Sequence, residues 1–185
     1  MNKIIYALAL TFMLLSTPAY AGVQEFTDKD EWIAAVGDFT TIDFTGFPEG
    51  TFITDQYADL GVLFTDGNDN IDFNRGYLND GWGLRGSDTI TIAFDSPEAY
   101  LAVDFPGDIQ IDLFAAGNLI YSAVFIAGGV GNFAGLVSTE LFDSALLSDY
   151  VGSVHIDDLH FGVPAPGALP LLALGALCTR RRGRV

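Results

Sequence analysis

Cysteine is almost absent from this sequence. The single one, Cys178, sits near the C-terminus, so the chain closes no intramolecular disulfide and builds no cysteine-rich zinc site. Basic residues are scarce too. Only Lys29, Arg75 and Arg85 fall within residues 22–162, against all 24 Asp and Glu, which gives that stretch a formal charge of −21. Such a surface repels phosphate and argues against nucleic acid as a partner. It also argues against anionic lipid held by a basic patch. Histidine occurs twice, as His155 and His160. There is no Gly-x-Ser-x-Gly elbow and no His-Glu-x-x-His helix. With so many acids, a glycosidase-type carboxylate pair carries no information. Composition therefore points away from an enzyme. Long apolar runs are missing as well: the two longest hold about 12 residues, short of the roughly 20 that span a bilayer.

Both apolar runs lie at the ends. Lys3 precedes Ile4 to Leu15, which is apolar apart from Thr11; Ser16, Thr17 and Pro18 interrupt it, and Ala19-Tyr20-Ala21 fits small-x-small cleavage. Residues 1–21 are expected to be a secretory signal peptide. At the other end come Val163-Pro164-Ala165-Pro166, an apolar run from Gly167 to Cys178, and a basic cluster with Arg180, Arg181 and Arg182. The prolines interrupt regular structure. Positive charge after an apolar segment favours the cytoplasmic side. This three-part tail, residues 163–185, resembles the PEP-CTERM sorting signal of Gram-negative bacteria, with Ala165 where that family usually has Glu. The resemblance implies recognition by an exosortase-type membrane protease, transient inner-membrane association through the tail, and export to the cell surface or extracellular matrix.

Residues 22–162 read as one domain, large enough for a single core. Thr27 can cap a short helix over Asp28 to Val36, with Trp32, Ala35 and Val36 on one face and Gly37 as the stop. Beyond it the period becomes two. Thr89 to Phe94, Ile109 to Phe114 and Val154 to Asp157 alternate; Tyr100 to Phe105 and Leu119 to Ala127 are more fully apolar; Thr41 to Phe44 and Gly61 to Phe64 are short. Turn signals separate them at Asp66-Gly67, Asn79-Asp80-Gly81, Pro106-Gly107 and Gly128-Gly129. This pattern predicts a mainly β fold, an antiparallel β-sandwich or jelly roll with one short N-terminal helix. Ile42-Asp43-Phe44, Pro48-Glu49-Gly50-Thr51, Gln56-Tyr57, Gly61 to Phe64 and the closing Ile156 to Gly162 also resemble a pattern common in secreted PEP-CTERM proteins. That resemblance implies a lectin-like or carbohydrate-module-like sandwich.

Three stretches carry candidate chemistry. The resemblance implies a structural Ca²⁺ between first and last strands, with Asp43 and either Asp157 or Asp158 as ligands; solvated strand-end acids are the alternative. Asp66-Gly67-Asn68-Asp69-Asn70-Ile71-Asp72 begins like an EF-hand loop, but Ile71 stands where that loop needs Gly, and Tyr77 where it needs Glu. An acidic turn fits it better. In the glycine-rich stretch 74–86, Tyr77 and Trp82 offer flat apolar faces, while Asn79, Asp80 and Arg85 offer directional hydrogen bonds. Sugars require that mixture. The alternative is that the rings cover the sandwich end and Arg85 pairs with an acid. The expected role is a non-enzymatic surface or matrix protein that binds polysaccharide. A self-associating structural matrix protein is the alternative, and a glycan-active hydrolase the weakest reading.

Overall fold

The computed structural model describes residues 22–73, 78, 81–126, 131–149 and 152–163. Residues 1–21, expected to be a signal peptide, and the tail beyond Val163 lie outside them, as do Tyr77, Asn79 and Asp80. Among the described residues no helix is long and apolar enough to cross a membrane.

The chain forms an antiparallel β-sandwich. Its strands are β1 (Val23–Phe26), β2 (Thr40–Ile42), β3 (Val62–Phe64), β4 (Asn70–Phe73), β5 (Trp82–Gly86), β6 (Thr89–Phe105), β7 (Ile109–Ala115), β8 (Asn118–Phe125), β9 (Asn132–Ser148), β10 (Val154–Ile156) and β11 (Leu159–Gly162). The large sheet has the order β2-β11-β6-β9-β7-β8; β3 adds to β6 and β1 to β9. A smaller sheet runs β10-β5-β4.

Two 17-residue strands, β6 and β9, organise the large sheet. Their ladder is interrupted between Ala93 and Tyr100. Before the break the even residues Ile90, Ile92 and Phe94 enter the main core; after it the odd residues Leu101, Val103 and Phe105 do. Side chains alternate faces, so a local irregularity is what swaps the inward set. β9 makes the matching switch, with Leu147 and Ala145 inward on one side and Leu136 and Ala134 on the other. The second half of β6 and the first half of β9 thus turn Tyr100, Ala102, Phe133 and Val137 to the opposite face, where a second core forms around Trp32.

Helix α1 (Lys29–Val36) covers that face. Its N-cap is Asp28, one residue after the expected Thr27: the Asp28 carboxylate accepts from the Glu31 N–H at 3.0 Å. Trp32 and Val36 are buried and Ala35 packs beside them, as the 3.6-residue period requires. Gly135 lets the helix approach. A Cβ there would lie 2.4 Å from Trp32 Cδ1.

Candidate functional site

The glycine-rich stretch is partly strand. Trp82 opens β5 opposite Phe73 of β4, with ring centroids 4.6 Å apart. Trp82 alternates with Gly83, so it shares a face with Leu84 and packs against the main core. Arg85 projects from the other face, where it donates to Ser153 Oγ at 3.1 Å. Asp72 and His155 share that outer face, with His155 Nε2 3.4 Å from the Asp72 carboxylate. Burial pulls the His155 imidazole below its usual range, and Asp72 only partly opposes this. The structure therefore places Trp82 and Arg85 on opposite faces of the small sheet. Leu78 folds back over the outer face at Gly83: a Cβ on Gly83 would meet the Leu78 methyls at about 3 Å.

The expected calcium ligands divide as well. β2 does pair with β11, with Ile42 opposite Leu159, so the strands carrying these acids are neighbours. Asp43 follows β2, but its Oδ1 turns back to accept from the Thr45 N–H at 3.1 Å and the Thr45 hydroxyl at 2.9 Å. It faces Tyr57, whose hydroxyl is pushed up to about 12 by burial first and by Asp43 second. Asp157 and Asp158 carry the chain from the small sheet at β10 to the large one at β11. Two backbone bonds to Asp104 fix that crossing, Asp157 N–H to Asp104 C=O at 2.7 Å and Asp104 N–H to Asp158 C=O at 3.1 Å. Asp158 alone of the three joins a group with metal-ligand spacing, together with Asp104 and His160.

That group already has a cation of its own. Lys29 Nζ lies 2.5 Å from Asp104 Oδ2 and 3.6 Å from Asp158 Oδ2. His160 Nε2 is 3.1 Å from the same Asp104 oxygen, and its Nδ1 is 2.9 Å from the Thr41 hydroxyl. Burial by itself would raise the Asp104 carboxyl. The hydrogen bonds and charges of His160 and Lys29 outweigh it and hold the group below its ordinary range. The result is a buried ionic clamp that ties α1 to the face it covers. Thr41 and His160 are cross-strand partners, so their contact completes the imidazole's hydrogen bonding within the ladder.

A groove of about 550 Å³ opens beside the clamp. Glu25, Asp28, Asp104 and Asn132 provide polar walls, and Phe133 and Val124 provide apolar ones. The sequence reading missed this site because it joins α1, β1, β6 and β9 across long separations. One local signal existed: Asp104 is the lone charge in the apolar run Tyr100 to Phe105, and such a residue is seldom buried unpaired.

No family model matches the chain, and no curated protein matches it. Among solved structures, the chain is similar to the M60 catalytic domain with the CBM51-1 and CBM51-2 domains from Clostridium perfringens ZmpB. That likeness has 11% identity and a TM-score of 0.31, covering 77% of this chain and 18% of the other. The chain thus spans about a fifth of that protein's length.

Proposed function

We propose that this protein is an exported, non-enzymatic component of the cell surface or extracellular matrix, and that it binds polysaccharide. The observation that carries the reading is the groove beside α1. Its carboxylate and amide groups suit sugar hydroxyls, and its apolar wall suits the C–H face of a pyranose. The charge of the domain narrows the ligand to a neutral or amino-sugar polymer, because an acidic one would be repelled. Export and processing by an exosortase-type protease rest on residues 1–21 and 163–185 alone.

Affinity electrophoresis of the protein through gels containing neutral and acidic polysaccharides tests the reading. Retardation by a neutral polymer is expected, with affinity falling roughly tenfold in Glu25→Gln or Asn132→Ala, about one hydrogen bond each. Unretarded migration in every polymer overturns it. A second reading, self-association in a matrix, is favoured by β8. This strand closes the large sheet at one edge, and Leu119, Val124 and the adjacent Ile126 are exposed there. An unpaired edge with apolar side chains is a template for another strand. Sedimentation that shows concentration-dependent assembly without polysaccharide would favour that reading.

A further inference from the structure

The loop between β3 and β4 holds the least comfortable group among the described residues. Asp69 is fully buried, and neither of its carboxylate oxygens has a hydrogen-bond partner. Its backbone is firmly placed: the Asp69 carbonyl accepts from the Ile53 N–H at 2.8 Å. The side chain faces another carboxylate, that of Asp66. Two ionised carboxylates only accept, so neither can satisfy the other unless something positive lies between them. Burial first, and then the charge of Asp66, push the Asp69 carboxyl up to about 8.

Asp66 is preorganised. Its Oδ1 accepts from the Asn68 N–H at 2.8 Å and its Oδ2 from the Thr89 hydroxyl at 3.4 Å. Thr65 N–H bonds Thr91 C=O at 2.9 Å, which fastens the start of the loop to β6. The two carboxylates therefore meet on a loop anchored at both sides.

We infer that Asp69 and Asp66 bind a Ca²⁺ ion in this loop. Calcium takes six to eight oxygens in irregular geometry; this short loop brings two carboxylates together, and water would complete the shell. Its double charge neutralises both acids. A proton could neutralise only one of them. The site is distinct from the Asp104 cluster, whose carboxylates already share the Lys29 ammonium, and it does not depend on polysaccharide binding. Bound there, calcium staples the β3–β4 loop to the main core.

Thermal unfolding and titration calorimetry of the full chain test this, with Ca²⁺, Mg²⁺ or EDTA. One high-affinity calcium per chain is expected, with a Tm rise of roughly 5–10 °C at a free concentration of about 100 Kd and less response to Mg²⁺. In Asp69→Asn the calcium response should vanish, while stability in EDTA should stay close to the original, because without calcium the buried carboxyl is held protonated and Asn matches its size and neutral charge. Asp66→Asn, at the loop's half-buried start, should weaken calcium binding at least tenfold without disturbing the core. Absence of calcium binding by the unaltered chain overturns the inference. So does a response kept in Asp69→Asn and Asp66→Asn but lost in Asp158→Asn, which would put the ion at the sheet crossing.

Discussion

Replacing Lys29 with Met keeps most of the side-chain stem and removes the ammonium from the Asp104 clamp. Asp104 is 8% exposed, so it cannot recover its hydration easily. Breaking a fully buried ion pair from one side costs about 3–5 kcal/mol. Two features reduce that figure here. Lys29 is 37% exposed, which screens the pair, and His160 remains on the carboxylate. The expected loss is about 1.5–3 kcal/mol, the range for a hydrogen bond to a charged group. For a domain of this size it corresponds to a fall in Tm of roughly 5–9 °C. Urea unfolding at neutral pH measures it through the midpoint at constant slope. The pH dependence is a further check. Asp104 has a folded pKa below 3.8, so its contribution is present above 3.8 and is lost as pH falls through the folded value. The gap between the two proteins should close in that acid range. A loss under about 0.5 kcal/mol at neutral pH would refute the clamp. A gap that persists in acid would show that the Lys29 ammonium acts over the Phe133 ring, 6.0 Å from its centroid, instead.

Gly135→Ala should destabilise by about 1–3 kcal/mol, since the new methyl meets the fully buried Trp32 ring and the indole has nowhere to move; chemical denaturation reads it. Trp32→Ala should cost about 3–5 kcal/mol and free α1, seen as faster amide exchange across Lys29–Val36 with the main core still protected. His155 has a folded pKa below 6.5, so the unfolded chain binds protons first and stability should fall as pH drops below 6.5. His155→Gln should flatten that slope in thermal scans between neutral and mildly acidic pH, and an unchanged slope would assign it to another group.

The helix and the alternating strands were legible because their signals are local. Trp32, Ala35 and Val36 repeat at helical spacing, and Thr89 to Phe94 and Ile109 to Phe114 alternate cleanly. β9 was not legible. Its glycine, alanine, serine and leucine show little strand preference, and its alternation breaks where the β6 ladder breaks. Trp82 to Gly86 was read as loop for a similar reason: its glycines leave room for Leu78 and the neighbouring strand, which no local pattern reveals. The EF-hand comparison could not anticipate the burial of Asp69. It weighed Asp66 to Asp72 by the residues that loop lacks, whereas the burial of Asp69 is what distinguishes it.

Local chemistry by itself determined the β-rich class, the acidic surface and the short helix, because period, charge and turn residues are properties of neighbours in the chain. Which acids meet a cation was decided only by folding. Lys29, Asp104, Asp158 and His160 converge because β6 pairs with β11 while α1, packed on β1 and β9, sends Lys29 to Asp104, and Asp69 loses its water only when the β3–β4 loop is buried. Carboxylates of one kind in sequence become a clamp, a turn cap or a buried charge according to the water and partners that tertiary packing leaves them.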